Sequence, residues 1–271
     1  MTKASAFRDL HHGPGAFVIP NPWDIGSARI LAALGFRALA TTSAGFAFSR
    51  GVGEGTPRRA AVLAHCRELV AATDLPVSAD LERGFGDSPE SVAEAIRSAA
   101  ETGLAGASIE DHTGDPGAPI YDPGLAADRI SAAAEAARGL SGDFVLTARC
   151  ENFLWGREDL ADTIRRLQSF EAAGADVLFA PGLRDLGMIA ELCQSVSCPV
   201  NVIMGIAGAD FSVAQVAEAG AKRISVGSGF ARRAYGAMVS AAREILDGGT
   251  FTETTKALPF AEFEAFFAAT G

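Results

Sequence analysis

The feature that most constrains the fold is the alternation of short apolar runs with longer helical segments along the chain. Eight runs have the length and composition of buried strands, at residues 17–20, 38–42, 77–80, 106–110, 144–149, 177–180, 200–203 and 223–226. Between them apolar residues recur at helical spacing, as at Val92, Ile96 and Ala99. Eight strand–helix repeats predict a single α/β domain over residues 1–271, a (β/α)₈ or TIM barrel.

An open, doubly wound parallel sheet is the alternative architecture for the same alternation. That fold favours a glycine-rich phosphate-binding fingerprint after its first strand, whereas this chain reads Asn21-Pro22-Trp23-Asp24 there. No linker, charge run or low-complexity segment marks a domain boundary. The barrel is therefore the favoured fold.

Charge and cysteine usage limit the partners that this chain is expected to have. The net charge of −10 argues against nucleic-acid binding, which requires a clustered basic surface. The arginine pairs at 58–59, 165–166 and 232–233 are expected on solvated or interface faces of helices. The four cysteines follow no metal-ligand spacing, and no apolar stretch approaches the roughly 20 residues of a membrane helix. We expect a reduced, cytoplasmic protein without membrane partners.

The C-terminal tail, about residues 250–271, is unusually apolar for a chain end. It carries Phe260, Phe263, Phe266 and Phe267, which would be unfavourable in water. The tail is expected to pack on its own barrel or on a neighbouring subunit, and we favour the neighbour.

Charged residues follow three consecutive predicted strands. Asp80 and Glu82 follow the third strand, Glu110 the fourth and Arg149 the fifth. In a barrel of this kind the carboxyl ends of the strands form the active site. Hard oxygen ligands without His or Cys indicate Mg²⁺, with Mn²⁺ as a second choice, and a guanidinium suits a substrate carboxylate. The alternative is that each acid caps a helix or forms an ion pair.

The chain lacks a suitably placed lysine for catalysis through a Schiff base. The chain has three lysines, and Lys222 precedes the eighth strand, at the end of the barrel opposite the expected site. A Schiff-base mechanism therefore lacks a nucleophile. Cys150, next to Arg149 at a strand end, is a candidate to line the pocket. Glycines at 205, 208, 227 and 229 leave a phosphate-binding barrel open as an alternative.

Several motifs together resemble the isocitrate lyase/phosphoenolpyruvate mutase superfamily over about residues 15–240. The motifs are Asn21-Pro22-Trp23-Asp24, Ser43-Ala44-Gly45, Asp80-Leu81-Glu82-Arg83-Gly84-Phe85-Gly86-Asp87, Ile109-Glu110-Asp111 and Ala148-Arg149. The resemblance implies a Mg²⁺-dependent barrel that binds a 2-oxo acid or its enolate on the metal. It also implies a homotetramer, a dimer of dimers in which the last helix is exchanged between subunits.

The resemblance also implies roles for the residues at the strand ends. Asp80 resembles the direct metal ligand, and Glu82 and Glu110 resemble ligands that act mostly through water. Arg149 resembles the arginine that holds the substrate carboxylate.

Further substrate-binding positions follow from the same resemblance. Ser43, Ala44 and Gly45 match a small-residue loop that cradles the oxo acid, and Trp23 belongs to the first strand-end motif. Asn201 lies near the family's seventh-strand Asn, two positions early. Glu54 falls about where the family often has an Asp near the reacting group.

The loop after the fourth strand departs from the family pattern. Residues 112–122 contain neither the Cys of the isocitrate and methylisocitrate lyases nor the Lys of the mutases. If an acid/base is required, His112, Tyr121 or Glu54 would replace that Cys.

The main functional hypothesis is a Mg²⁺-dependent lyase for a small 2-oxo or 2-hydroxy carboxylic acid, acting through a metal-stabilised enolate. Decarboxylation of an oxaloacetate-like acid fits the missing Cys best, and C–C cleavage of a methylisocitrate-like acid comes next. The alternatives are a non-catalytic 2-oxo acid-binding protein and a C–P bond enzyme of the phosphonopyruvate or phosphoenolpyruvate type.

Overall fold

The computed structural model describes residues 2–268, which form the predicted (β/α)₈ barrel. All eight strands are parallel, in the order β1-β8-β7-β6-β5-β4-β3-β2. The strands are β1 (Phe17–Ile19), β2 (Leu39–Ala40), β3 (Val77–Asp80), β4 (Gly106–Glu110), β5 (Val145–Arg149), β6 (Val177–Phe179), β7 (Val200–Ile203) and β8 (Arg223–Ser225). The Ala40 amide donates to the Pro20 carbonyl at 3.0 Å and links β2 to the end of β1. The ring is thus nearly closed.

Strand lengths follow the sequence prediction, with differences at the ends. β3, β4 and β7 have the predicted bounds, and the other five strands are one to three residues shorter. β2 loses most, because the Thr42 hydroxyl accepts from the Gly45 amide and caps a helix instead of extending the strand.

Eleven α-helices surround the barrel in the described part of the chain. They are α1 (Lys3–His12), α2 (Ile25–Ala33), α3 (Ser43–Ser49), α4 (Arg59–Ala71), α5 (Pro89–Ala100), α6 (Pro123–Arg138), α7 (Leu160–Ala172), α8 (Leu186–Gln194), α9 (Val213–Glu218), α10 (Gly229–Gly248) and α11 (Phe260–Ala268). The helices predicted from the sequence, at residues 25–34, 57–72, 89–102, 125–138, 158–173, 184–195, 212–219 and 230–246, include neither α1 nor α3. Both of these helices depend on contacts with the barrel for their stability.

Helix α1 closes the amino-terminal end of the barrel. Phe7 is fully buried in an apolar cluster with Phe17, Val145 and Val177. Gly106 leaves room for it, since a Cβ there would lie 3.2 Å from the Phe7 ring and 2.4 Å from the Val145 carbonyl oxygen. The barrel therefore has a closed floor and an open mouth at the carboxyl ends of its strands.

The C-terminal helices lie outside this core. Helix α11 contacts α2 of the same chain, yet Phe260 is 90% and Leu246 83% exposed. Residues 269–271 of the predicted tail lie outside the described residues. Packing on a neighbour and exchange of the last helix remain predictions. No helix in the described part is both long and apolar enough to cross a membrane.

Candidate active site

Three strand ends bring opposite charges together at the mouth of the barrel. Asp80, Glu110 and Arg149 are the last residues of β3, β4 and β5, and Glu110 is in register with Arg149. The Arg149 Nη1 lies 3.7 Å from Asp80 Oδ1 and 3.4 Å from Glu110 Oε2. The Arg149 Nε donates to Glu151 Oε1. One guanidinium is thus surrounded by three carboxylates.

The mouth carries more negative charge than this arginine balances. Burial, reinforced by Asp80 and Glu54, raises the pKa of Glu82 to about 7. Burial also raises the pKa of Glu110, although Arg149 opposes it. These shifts report carboxylates held together out of water with too few cations.

Asp80 is fixed by hydrogen bonds that it donates to, and accepts from, its neighbours. Its backbone amide donates to Thr41 Oγ1 at 2.9 Å. The Ser43 Oγ lies 2.9 Å from Asp80 Oδ2 and 2.8 Å from Glu54 Oε1. A hydroxyl has a single proton, so Ser43 can donate to only one of these carboxylates at a time.

The stretch expected as a small-residue loop is the first turn of α3. The Ser43 and Ala44 side chains line the cavity of the mouth, but Gly45 packs against the protein. A Cβ on Gly45 would lie 2.6 Å from Thr42 Cγ2 and 3.0 Å from Trp23 Cβ. Packing of the helix start against Trp23 accounts for this glycine, and neither residue lines the cavity.

Glu82 sits in a strained turn directly after β3. Its φ of 51° is in the left-handed region, which costs a non-glycine residue roughly 1–2 kcal/mol. Its amide donates to Asp80 Oδ1 at 3.2 Å and closes the turn. Strain of this kind concentrates at functional sites, where the surrounding structure holds it in place.

A cavity of about 330 Å³ opens from this mouth into the barrel. The predicted site residues that line it are Ser43, Ala44, Glu54, Asp80, Arg149 and Asn201. Asn201 is deeply buried, and its amide nitrogen donates to Ser225 Oγ at 3.0 Å. It therefore belongs to the interior of the barrel rather than to the rim.

Two of the acid/base candidates lie beside the cavity rather than in its wall. The His112 ring stacks on Trp155 at 4.1 Å between ring centroids, and its Nδ1 lies 3.8 Å from Glu110 Oε1. The Tyr121 hydroxyl donates to Asp87 Oδ1 at 2.6 Å. Burial and this hydrogen bond raise the Tyr121 pKa. Tyr121 is held as a structural donor in this arrangement.

Two sequence expectations near the site are wrong. Arg166 is not a solvated arginine, since it is buried with Nη1 3.2 Å from Asp111 Oδ2 and Nε 3.0 Å from Asp162 Oδ2. Asp111 in turn accepts the Glu151 amide at 2.8 Å, so this ion pair supports the loop behind Arg149. Cys150 does not line the cavity, because alternation along the chain turns it away from Arg149.

The donor set fits a partly hydrated divalent cation. Among residues 2–268 no three His, Cys, Asp or Glu side chains are arranged to hold a metal ion by themselves. Mg²⁺ needs no such cage, because it is commonly held by one or two carboxylates and keeps several waters. Asp80 faces the cavity amid surplus negative charge. The residues therefore suit Mg²⁺ or Mn²⁺ at Asp80, with Glu82 and Glu110 behind it.

Comparisons with known proteins agree with the motifs. A family model described as phosphoenolpyruvate phosphomutase matches residues 7–246. The chain is 32% identical to 2-methylisocitrate lyase of Escherichia coli strain K12, over 51% of this chain and 48% of that protein.

Solved structures extend the likeness to nearly the whole chain. A Burkholderia cenocepacia J2315 protein with the provisional name lyase/mutase is 55% identical, with a TM-score of 0.96, over 98% of this chain and 96% of that one. A 2,3-dimethylmalate lyase is 26% identical, with a TM-score of 0.86, over 98% of this chain and 94% of that one.

Proposed function

Because the chain belongs to the isocitrate lyase/phosphoenolpyruvate mutase superfamily of lyases and mutases, we propose that it is a Mg²⁺-dependent carbon–carbon lyase. Its substrate is a small 2-oxo or 2-hydroxy carboxylic acid. The relatives named as 2-methylisocitrate lyase and 2,3-dimethylmalate lyase have substrates of this kind in their names, which supports the proposal.

The observation that carries the proposal is the meeting of Asp80 and Arg149 on one cavity wall. A carboxylate for a cation and a guanidinium for an anion stand 3.7 Å apart at their nearest atoms. A substrate that offers a carboxylate and an adjacent oxygen matches such a pair. Convergence of this type, in a cavity at the carboxyl ends of barrel strands, is expected of an active site.

The chain's own residues position the substrate for bond cleavage. Arg149 holds the carboxylate through its planar fork of N–H groups, and Ser43 offers a hydroxyl beside it. A Mg²⁺ held at Asp80 would supply electrophilic stabilisation of the negative charge that develops on the substrate oxygen. Glu54 lines the cavity 2.8 Å from the Ser43 hydroxyl, so it is the preferred acid/base where a proton must move.

The finer features of the proposal concern assembly and compartment. Exposed apolar side chains on α10 and α11, such as Leu246 and Phe260, support a homotetramer in which a neighbour covers them. The four cysteines are free thiols, which supports a reducing, cytoplasmic setting.

A substrate screen tests the proposed reaction. Oxaloacetate, methylisocitrate, 2,3-dimethylmalate and phosphonopyruvate are each incubated with the protein and Mg²⁺, and products are followed by NMR. We expect turnover of a carboxylic acid that EDTA abolishes and added Mg²⁺ restores. Turnover of phosphonopyruvate alone, or Mg²⁺-dependent binding of these acids without any product, would contradict the lyase assignment.

A further inference from the structure

A second buried arginine lies in the barrel interior, beneath the mouth, where no part of the proposed mechanism uses it. Arg223 is the first residue of β8, and its side chain is 5% exposed. Its Nε donates to Asn201 Oδ1 and its Nη2 to Thr147 Oγ1, both at 3.0 Å. Its Nη1 lies 3.3 Å from His11 Nε2. All three partners are neutral groups.

His11 does not supply the missing negative charge. Its Nδ1 lies 2.8 Å from the Phe7 carbonyl oxygen, to which it donates, so its Nε2 is the acceptor facing Arg223. Burial, and secondly Arg223, lowers the pKa of His11 to about 3. In the described part of the chain no carboxylate forms an ion pair with Arg223.

Some N–H groups of Arg223 have no hydrogen-bond acceptor among the described residues. A guanidinium has five N–H groups, and the bonds to Asn201, Thr147 and His11 use three of them. Two N–H groups are left without a protein acceptor among the described residues, on a side chain that lines the cavity. Leaving a buried charge and its donors unpaired costs several kcal/mol. A ligand that brings an anion would remove this cost.

Polar side chains line part of the barrel interior around Arg223. Barrel interiors are usually filled by branched apolar side chains. Apolar side chains such as Ile19, Phe179 and Ile203 line part of this one, and the small or polar residues Ala40, Ser78, Ser108, Asn201 and Ser225 line another part. The cavity thus extends from Arg149 down to Arg223, with hydroxyl and amide groups along its wall.

Strand β5 relates the positions of the two arginines in the cavity. Arg223 bonds Thr147, which lies two residues before Arg149 on β5 and therefore on the same inward face. Strand rise separates these two β5 positions by about 6–7 Å.

We propose that Arg223 forms a second anion subsite inside the barrel, which takes the distal carboxylate of a short dicarboxylic substrate. This inference rests on the proposed function, in which Arg149 and Asp80 hold the other end of the same molecule. The substrate is then a 2-oxo or 2-hydroxy dicarboxylic acid rather than a monocarboxylic one.

Arg129, also a buried arginine without an ion pair among the described residues, differs from Arg223 in what its side chain faces. Arg129 donates to the backbone carbonyls of Gly86, Asp87 and Arg83 and lies 4.3 Å from the centroid of the Tyr121 ring. It does not line the cavity. Arg129 is therefore a buried arginine that faces backbone carbonyls and an aromatic ring rather than the cavity, and it serves as the matched control.

Calorimetry with lactate and malate in the presence of Mg²⁺ tests the subsite, because the two acids differ by one carboxylate. We expect the wild-type protein to bind malate at least about 30-fold more tightly than lactate, the lower bound for a buried charge pair. Arg223→Met should reduce this preference below about 3-fold and leave lactate affinity nearly unchanged. Arg129→Met should retain the full preference.

The outcomes separate this inference from the proposed function. Wild-type binding of lactate without a preference for malate overturns the subsite alone and needs no variant, even if Arg223→Met fails to fold. Loss of the preference in Arg129→Met as well would make it a structural effect and would overturn the subsite. If chloride stabilises the wild-type fold but not that of Arg223→Met, and malate is not preferred over lactate, the site binds a free inorganic anion. That result would also overturn the dicarboxylate subsite. Failure of both acids to bind contradicts the proposed function and this inference with it.

Discussion

The mouth and the interior of this barrel each contain a buried arginine, in opposite electrostatic surroundings. At the mouth, Arg149 contacts Asp80, Glu110 and Glu151, whose carboxylates, opposing the effect of burial, raise its pKa. In the interior, Arg223 meets only neutral groups, and burial lowers its pKa to about 9. One region has surplus negative charge, and the other has unbalanced positive charge.

Under the proposed function, this difference would let one cavity bind both a cation and an anion. Surplus carboxylates at the mouth favour a divalent cation, whereas the unpaired guanidinium below favours an anion. A dicarboxylic acid that binds together with Mg²⁺ would neutralise both regions at once. Each region can be tested separately, because the side chains that define them lie on different strands.

The largest effect is expected from removing the carboxylate that defines the mouth. Asp80→Ala should abolish measurable Mg²⁺-dependent binding of an oxo acid while the protein stays folded, because the proposed cation would lose the ligand assigned to it. Calorimetry with pyruvate and Mg²⁺ measures this, with circular dichroism as the folding check. Asp74→Asn, an exposed acid that precedes β3, is the control. Unchanged affinity in Asp80→Ala would remove Asp80 from the site.

The buried ion pair of Arg166 and Asp111 tests whether a carboxylate behind the mouth needs its cationic partner for the stability of the fold. Arg166→Met should destabilise the fold by about 3–5 kcal/mol, because it leaves Asp111 buried without its partner. The neighbouring Arg165 is exposed, so Arg165→Met should change stability by no more than about 0.5 kcal/mol. Urea denaturation compares the two variants. Equal effects would mean that the buried pair contributes nothing beyond the exposed one.

A conservative change at the mouth sharpens the role of Arg149. Arg149→Lys should weaken binding of the substrate carboxylate about 10- to 100-fold, because a point charge does not reproduce the bidentate fork. The charge is kept, so the surrounding carboxylates retain a cationic neighbour and the fold should persist. The same calorimetric titration decides the matter. If Arg149→Lys binds the acid as tightly as the parent protein does, Arg149 does not hold the substrate carboxylate.

The interior of the barrel should lose stability in acid, through His11. Its pKa is about 3 in the fold, against 6.5 in the unfolded chain, so the unfolded state binds the extra proton between these values. Stability should therefore fall as the pH drops below 6.5, by roughly 2 kcal/mol between pH 7 and pH 5 from this group.

The variant His11→Gln isolates that contribution. Glutamine can still accept from Arg223 but does not titrate, so the loss of stability between pH 7 and pH 5 should shrink by about the same 2 kcal/mol. Urea midpoints measured at both pH values provide the comparison. Identical pH dependence in the variant and the parent would mean that His11 accepts a proton in the folded state.

The sequence by itself determined the barrel and the chemistry of its mouth. Strand and helix periodicity are local properties, and eight repeats leave few ways to bury two-sided apolar strands. Acids and an arginine directly after consecutive strands must meet at one end of parallel strands, as Asp80, Glu110 and Arg149 do. Family motifs added to that pattern the expectation of a metal and an oxo acid.

Tertiary structure alone decided what the buried arginines contact. Arg166 meets Asp111 across 55 positions, and Arg223 bonds Thr147 across 76 and His11 across 212. No local sequence pattern encodes contacts between residues so far apart in the chain. The arginine pair at 165–166 was therefore predicted to be solvated, and no role was predicted for Arg223. The α1 helix was missed for the same reason, since Phe7 is held by the barrel floor rather than by its neighbours in sequence. Burial makes the partners of a charge decisive, and the folded chain alone assigns those partners.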